Sequence, residues 1–154
     1  EMNTSAQNED TQIVFGNAGD FDLGSFDLFL IKDTLIQSHG LFDENFYPAY
    51  CEDADYIMRL HNNPVKKVCG LTKKYYHGDS FDYYETGSNT RKDDPKLTAK
   101  LEGVNLKNYE YMTQKWGPGW RTVAPYKHPF NIEGLDPRTT SFNLEFCRDK
   151  HLGF

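Results

Sequence analysis

The sequence predicts a mixed α/β fold, in which a small mixed sheet is flanked by helices and followed by a long irregular C-terminal tail. Short apolar runs typical of β-strands occupy residues 13–15, 26–31 and 65–71. Two helical patterns begin near residues 52 and 95. From residue 120 to residue 154, proline, aromatic and turn residues recur without a period. Together these three observations favour an α/β unit with an irregular end.

The composition favours a soluble globular chain with one core. The 154 residues are 38% hydrophobic and 26% charged, with a net charge of −6. An isoelectric point near 5.3 argues against nucleic-acid binding through general phosphate attraction. No apolar stretch is long enough to span a membrane, and three scattered cysteines are too few for a disulfide scaffold or a structural zinc site. We therefore expect a cytoplasmic protein without a transmembrane segment.

The first part of the chain predicts a leader followed by two strands. Residues 1–10 are polar and lack periodicity, which is typical of a disordered leader or a cloning remnant. The domain is expected to cover residues 11–154. It opens with a strand at Ile13–Phe15 and a turn rich in glycine and aspartate. The dense apolar run at residues 26–31 suits a buried strand, although a helix start near Lys32 or Asp33 is an alternative.

A short acidic helix is predicted after Pro48, which itself favours an extended or turn segment because proline disfavours helical geometry in the residue before it. Glu52 or Asp53 can cap this helix, and the Asn-Asn-Pro sequence at residues 62–64 ends it. One face of the helix is predicted to carry Ala54, Ile57, Met58 and His61.

An edge strand and a longer helix are predicted next. Residues 65–71 combine two lysines with apolar residues, as expected of a short edge strand with its lysines on the solvated side. Asp94 and Pro95 then form a good helix start, with an N-cap residue followed by proline at the first helical position. The helical pattern restarts near Asn105 and stops at Gly117 and the proline after it.

The strongest chemical signal is the sequence Glu-Asp-Ala-Asp at residues 52–55. Carboxylates at the start of a helix are stabilised by the helix dipole and by free backbone amides, so a simple capping cluster explains them. The segment before them, residues 45–51, is aromatic and apolar. A carboxylate beside apolar walls can have a raised pKa, which suits a general base. Both interpretations remain open on these residues alone.

An ordered set of residues surrounds these acids, namely Gly40, Phe42, Asp43, Glu44, Phe46, Glu52, Asp53, Asp55 and Arg59. This set resembles the acceptor-side C-terminal half of family 2-type glycosyltransferases with the nucleotide-diphospho-sugar transferase (GT-A) fold. Further family elements are similar to the preceding run at residues 26–31, the Tyr-His-Gly-Asp-Ser element at residues 76–80, and the later Lys-Trp-Gly and Pro-Phe-Asn segments.

The resemblance implies roles for individual residues. Asp53 would be the general base of an inverting transfer from a nucleotide-sugar to an acceptor hydroxyl, and Glu52 beside it would orient the acceptor or Asp53. A divalent metal, Mn²⁺ or Mg²⁺, would offset the charge of the departing diphosphate. His77 would then lie near that metal or the diphosphate. The candidate acceptor contacts are Tyr50, Asp55 and Trp116.

Two departures from the family pattern shape the prediction. The donor half of such enzymes carries an Asp-x-Asp metal motif well upstream, and Asp20 and Asp22 are better explained as a glycine- and aspartate-rich turn. We therefore expect an N-terminal donor-binding half in the same chain or another one. The Gln-x-x-Arg-Trp motif of processive synthases is missing from the sequence, which favours transfer of a single sugar.

Several residues also have structural alternatives. Arg59 follows Asp55 by four residues and is expected to pair with it on the helix, while Asp43 and Glu44 are expected to set the turn before the acids. A core position is the alternative for Trp116. At the level of function, the alternatives are a non-catalytic carbohydrate-binding or assembly module on the same scaffold and a metal-dependent hydrolase that uses the acids and His77.

Overall fold

The structure is a computed structural model, and it describes residues 7–16, 26–69, 94–120 and 126–135. The described elements are β1 (Ile13–Phe15), β2 (Phe29–Ile31), α1 (Asp33–His39), a 3-10 helix (Glu44–Phe46), α2 (Glu52–Asn62), β3 (Lys67–Cys69), α3 (Pro95–Trp116) and a second 3-10 helix (Pro129–Asn131). The chain divides into two compact units. The first unit comprises Glu1–Lys32 and Val65–Glu102, and the second comprises Asp33–Pro64 and Gly103–Phe154.

The first unit contains a three-stranded mixed sheet with the order β2-β1-β3. β1 pairs antiparallel with β2, so that Ile13 lies opposite Ile31, and parallel with β3, so that Ile13 lies opposite Lys67. All three residues of β1 are 0% exposed. This central position explains why β1 is apolar at every residue instead of at alternate ones.

The outer strands confirm one prediction and correct another. Among the described strands, β3 lies at an edge of the sheet, as its lysines predict. The run at residues 26–31 forms a strand only at Phe29–Ile31, which is the other outer strand of those described, and Phe29 is 38% exposed, so the prediction of a buried strand is wrong. Phe26 lies outside the strand and packs edge-on against Phe15, with the ring centroids 5.0 Å apart. The alternative helix start is confirmed, because α1 begins at Asp33.

The second unit is built around an aromatic core. Its buried apolar cluster joins the turn after α1, the helix α2, the last turns of α3 and the residues that follow α3. The members are Phe46, Cys51, Met58, Tyr111, Met112, Trp116 and Trp120. This core is where the acidic helix meets the C-terminal part of α3.

The helix α2 starts at Glu52, and no side chain caps this end of the helix. The N-cap position is Cys51, in a left-handed conformation with φ of 74°. The prediction that Glu52 or Asp53 caps the helix is therefore wrong, and both acids lie in its first turn. The predicted end is confirmed, because the amide of Asn63 donates to the carbonyl of Arg59 and closes the helix.

The buried face of α2 is more polar than predicted. Met58 is buried as expected, but His61 is exposed. Asp55 and Arg59 instead occupy the buried face, together with Tyr56 and Leu60. The apolar pattern alone misplaces this face because two ionised side chains lie inside the unit.

The long helix α3 runs without interruption over 22 residues. Asp94 accepts hydrogen bonds from the amides of Lys96 and Leu97, both at 3.0 Å, which confirms the predicted N-cap. The predicted restart near Asn105 is wrong, since the helix continues through this point. It ends before Gly117, whose φ of 92° favours glycine and whose amide donates to the carbonyl of Thr113. Among the residues that the structure describes, no helix is long and apolar enough to cross a bilayer.

Candidate active site

The turn before the acidic helix is organised by Asp43. Its Oδ1 accepts hydrogen bonds from the backbone amide of Asn45 at 3.0 Å and from the side-chain amide of the same residue at 2.8 Å. These bonds cap the 3-10 helix that begins at Glu44. The expected turn-setting role is therefore confirmed for Asp43, whereas Glu44 is exposed at the first position of that helix.

The loop between this turn and α2 is held by a single asparagine of α3. Asn108 is 0% exposed, and its Nδ2 lies 3.1 Å from the carbonyl of Phe46, 2.8 Å from that of Ala49 and 3.0 Å from that of Tyr50. Tyr50 and Cys51 both have left-handed backbone conformations, with φ of 78° and 74°. Non-glycine residues adopt this conformation at a cost of about 1–2 kcal/mol each, so the contacts of Asn108 offset a strained backbone directly before the acids.

Four charged side chains form a buried ion network, which comprises Asp43, Asp55, Arg59 and Lys115. The Nζ of Lys115 lies 2.8 Å from Oδ2 of Asp43 and 2.7 Å from Oδ1 of Asp55. Arg59 pairs with the other oxygen of Asp55, which confirms the predicted contact along the helix. All four side chains are 0% exposed. Two anions thus meet two cations, so their mutual attraction offsets the cost of taking each charge out of water.

Neutral donors complete the coordination of both carboxylates in the network. Trp116 donates its indole N–H to Oδ1 of Asp55 at 2.8 Å, and Tyr111 donates its hydroxyl to Oδ2 of Asp43 at 2.9 Å. Burial by itself raises the pKa of Asp55, but Lys115 and Arg59 outweigh it and hold this pKa below its ordinary value of 3.8. Burial and the adjacent Asp43 raise the pKa of Tyr111, so that it remains a neutral donor.

The two acids at the start of α2, Glu52 and Asp53, form what we call the open pair. Asp53 is exposed, and its Oδ1 accepts a hydrogen bond from the amide of Ala54 at 2.7 Å. Within the described residues, no ion pair joins Asp53 to another side chain. One oxygen of Asp53 is thus anchored to the helix while the carboxylate as a whole faces solvent.

Glu52 lies in a drier environment than Asp53. Burial raises its pKa above the ordinary value of 4.5, and the neighbouring charge of Asp53 acts in the same direction, while hydrogen bonds from the backbone at Glu52 and Tyr50 oppose the shift. Its Oε2 is buried and accepts no hydrogen bond from the part of the chain that the structure describes. Glu52 therefore offers an unused acceptor.

A cavity of about 270 Å³ opens beside Glu52. It lies entirely within the second unit, and its walls come from the turn, the loop and the first residue of α2. The lining residues are Phe42, Asp43, Glu44, Phe46, Tyr47, Pro48, Ala49 and Glu52. The cavity thus combines aromatic and apolar walls with carboxylates.

The structure brings together some of the predicted site residues and separates others. Glu52, Asp53 and Tyr50 lie at the junction of the loop and α2, and Tyr50 is half-buried. Asp55 and Trp116 are both 0% exposed and contact each other, so an acceptor cannot reach them in this arrangement. Their predicted acceptor-binding role disagrees with this burial, and the core alternative for Trp116 is what the structure has.

The predicted metal ligand lies outside the described residues, as do Asp20 and Asp22. His77 belongs to residues 70–93, which the structure does not describe. Within residues 7–16, 26–69, 94–120 and 126–135, no group of three or more His, Cys, Asp or Glu side chains is placed to hold a metal ion. The metal site therefore stays a prediction.

Three important residues of α3 were missed by the sequence analysis, namely Asn108, Tyr111 and Lys115. They follow one another at spacings of three and four residues, on the same side as the buried Val104 and Met112. Polar residues at core positions of a helix need buried partners, and this spacing is the signal that could have identified them.

The chain is similar to part of a galactofuranosyl glycosyltransferase from Leishmania donovani, with 32% identity over 119 residues. The match covers 71% of this chain and 27% of that protein, so the chain spans about a quarter of the length of the curated relative it matches. No family model matches the chain, and no solved structure matches it. The similarity supports the resemblance to glycosyltransferases and a transferase role in general.

Proposed function

We propose that this chain forms the acceptor-side half of a glycosyltransferase of the GT-A type. It would take part in the transfer of a single sugar from a nucleotide-sugar to an acceptor hydroxyl, with inversion at the anomeric carbon. The observation that carries the proposal is the open pair. Asp53 has a solvent-facing carboxylate without an ion-pair partner among the described residues, whereas Asp55 is closed off by three donors.

In this proposal Asp53 is the catalytic base. The amide of Ala54 fixes one carboxylate oxygen at 2.7 Å and leaves the other free to accept a proton. As the acceptor oxygen attacks the anomeric carbon, its proton passes to Asp53. The bond between the anomeric carbon and the diphosphate oxygen breaks on the opposite face, and the nucleoside diphosphate leaves with that electron pair. A positioned base of this kind contributes about 10²–10⁴-fold to the rate.

Glu52 would hold the acceptor rather than remove the proton. It lines the cavity and presents a buried oxygen without a partner in the described part of the chain. A hydroxyl group of the acceptor can donate to that oxygen once the Glu52 side chain turns it towards the cavity, which would fix the acceptor close to Asp53. Tyr50, whose carbonyl is fixed by Asn108, is proposed as a further acceptor contact.

The donor would be bound by an N-terminal half in the same chain or in another chain. A divalent metal, Mn²⁺ or Mg²⁺, would stabilise the charge on the leaving diphosphate, with His77 as its proposed neighbour. The described residues offer no complete metal site, so the steps above involve only the carboxylates of this chain. The name of the relative makes a galactofuranosyl donor the first one to test.

The test measures sugar transfer by the protein as its gene encodes it, with a panel of nucleotide-sugars and Mn²⁺. We expect Asp53→Asn to lower the rate by about 10²–10⁴-fold without changing the free energy of unfolding. Asp33→Asn is the matched control, because Asp33 is also an exposed acid in the first turn of a helix. If both variants retain the full rate, the chain is a non-catalytic carbohydrate-binding or assembly module and the proposal is wrong.

A further inference from the structure

We infer that Asn108 of α3 is a positioning residue for the proposed base, Asp53. Asn108 is 0% exposed, so it acts through the backbone of the loop before α2 and not through contact with a substrate. This inference rests on the proposed function, because it assigns a role in the same reaction to a residue outside the acidic motif.

The position of the Asp53 carboxylate depends on the backbone that carries it. The side chain is exposed, and it accepts a hydrogen bond from the amide of Ala54, the next residue, at 2.7 Å. In the described part of the chain, no ion pair ties this carboxylate to another element. The direction in which it points therefore follows from the backbone at the start of α2.

The backbone directly before this helix is strained. Tyr50 and Cys51 have φ values of 78° and 74°, in the left-handed region that favours glycine. The first turn of α2 is built on the second of them, because the amide of Asp55 donates to the carbonyl of Cys51 at 2.8 Å. A change of either residue to an ordinary conformation would therefore redirect the first turn, which carries Asp53.

The side chain of Asn108 supplies contacts that favour this strained conformation. Its Nδ2 lies 3.0 Å from the carbonyl of Tyr50 and 2.8 Å from that of Ala49, the residue before it. The carbonyl of Phe46, at 3.1 Å, is held from the other end of the loop. A primary amide carries two N–H donors on one nitrogen, so it can serve several carbonyls that converge on one point. An aliphatic side chain of the same size would fill the space without holding these carbonyls.

The acceptor end of the same side chain is unused. The Oδ1 of Asn108 is buried and accepts no hydrogen bond from the residues that the structure describes. A buried acceptor without a donor costs free energy, so packing alone does not favour asparagine over an apolar residue here. The contacts between Nδ2 and the loop therefore account for an asparagine at this position.

The loop that Asn108 contacts is anchored on both sides by the ion network. Lys115 holds Asp43, before the loop, at 2.8 Å and Asp55, after it, at 2.7 Å. Lys115 follows Asn108 by seven residues, so the two side chains lie on the same side of α3. With both flanks fixed, the remaining freedom lies in the loop itself. The contacts of Asn108 therefore decide the conformation immediately before Asp53.

The experiment is a double-mutant cycle, measured as sugar transfer by the protein as its gene encodes it. We expect Asn108→Ala to lower kcat by about 10–100-fold, because a misplacement of ~1 Å can cost roughly 10²-fold in rate. In a protein that already carries Asp53→Asn, the same change should lower the remaining rate by less than about threefold, since no base is left to position. A residue that only stabilises the fold would lower the rate by the same factor in both backgrounds.

Two further variants separate the loop contacts from a loss of packing. Asn108→Leu is similar in size to the wild type but has no N–H donor, and we expect it to lower kcat as Asn108→Ala does. Val104→Ala is the matched control, because Val104 is buried four residues earlier on the same helix and has no polar side-chain atom. This control should lower kcat by less than about threefold, and by the same factor in both backgrounds.

A second measurement does not depend on activity. The ¹³Cα and ¹³Cβ chemical shifts of Tyr50 and Cys51 in the full chain report their left-handed backbone. We expect these shifts to move towards the values of ordinary backbone in Asn108→Leu and to stay unchanged in Val104→Ala. The inference is overturned if the shifts are the same in Asn108→Leu as in the wild type.

The outcomes also separate this inference from the proposed catalysis. Suppose that Asp53→Asn lowers the transfer rate, while the Asn108 variants keep the full rate or lower it by the same factor in both backgrounds. The catalytic role of Asp53 then stands, and the positioning role of Asn108 is wrong. If Asp53→Asn keeps the full rate, the catalytic role is wrong and the positioning role fails with it.

Discussion

Asp53 and Asp55 lie two residues apart in the first turn of α2 and have opposite environments. Asp53 is exposed and has one backbone hydrogen bond, whereas Asp55 is 0% exposed and contacts Arg59, Lys115 and Trp116. The same helix start thus carries one carboxylate that faces solvent and one that is fully coordinated. The difference teaches that the number of donors around an acid, rather than its place in a motif, separates a solvent-facing acid from a structural one.

The largest loss of stability is expected when the buried ion network loses its shared cation. Lys115→Met leaves the carboxylates of Asp43 and Asp55 buried with only Arg59 to compensate them. We expect the free energy of unfolding to fall by about 3–5 kcal/mol, as measured by urea denaturation. Lys107→Met is the control, because Lys107 is exposed on the same helix and its loss should change this quantity by less than about 0.5 kcal/mol. If the two substitutions lower the free energy of unfolding equally, Lys115 does not stabilise the buried ion network.

The comparison can be tested directly with the two aspartates. Asp55→Asn removes the charge that Lys115 and Arg59 contact, so we expect a loss of about 3 kcal/mol in the free energy of unfolding. Asp53→Asn should change this free energy by less than about 0.5 kcal/mol.

The pKa of Asp55 is lowered, so the stabilising effect of its carboxylate is complete above pH 3.8 and is lost as the pH falls further. The wild type and Asp55→Asn should therefore converge in stability at acidic pH. If the difference in the free energy of unfolding between the wild type and Asp55→Asn stays constant from pH 7 to pH 3, the pKa of Asp55 is not lowered.

A smaller loss is expected at Asn108, which fixes the loop before the open pair. Asn108→Ala removes the side-chain donor for the buried carbonyl of Phe46 and the half-buried carbonyls of Ala49 and Tyr50, and we expect a decrease of about 1–3 kcal/mol in the free energy of unfolding. Asn105→Ala is the matched control on the exposed side of the same helix. Should Asn108→Ala unfold at the same urea concentration as the control, the loop does not depend on these contacts.

The smallest expected effect has the opposite sign and concerns Glu52. Its pKa is raised above 4.5 in the folded protein, so the folded state binds the proton more tightly than the unfolded state does. Ionised Glu52 therefore lowers stability as the pH rises above 4.5. We expect Glu52→Gln to raise the Tm at pH 7 by less than about 4 °C, and to leave it unchanged below pH 4.5. Glu44→Gln, at an exposed position of the same cavity, should change the Tm at neither pH.

The elements defined by local signals could be predicted from the sequence. β1 has the predicted bounds because three consecutive apolar residues suit a central strand. α3 begins directly after its N-cap Asp94 and ends before Gly117 because both ends carry strong capping chemistry. The ion pair between Asp55 and Arg59 was also predictable, since residues four apart on a helix lie next to each other.

The features that depend on distant contacts could not be predicted in the same way. The start of α2 follows two left-handed residues, and Asn108 contacts the carbonyl of the first of them, Tyr50, from 58 positions away in sequence. The burial of Asp55 depends on Lys115, which lies 60 residues further along the chain. A helical wheel of α2 alone places charged residues toward solvent, and partners outside this helix reverse this expectation: Lys115 and Trp116 of α3 for Asp55, and the carbonyls of His39 and Leu41 for Arg59.

The link between Asp43 and Lys115 has a consequence for protein engineering. Every acid of the motif lies before residue 56, yet the ammonium group that neutralises two of them comes from the end of α3. A peptide or a graft that transplanted only residues 40–60 into another scaffold would carry the whole motif but leave only Arg59 to compensate the two buried anions Asp43 and Asp55. Transplantation of the motif must therefore include the last three turns of α3, from Asn108 to Trp116.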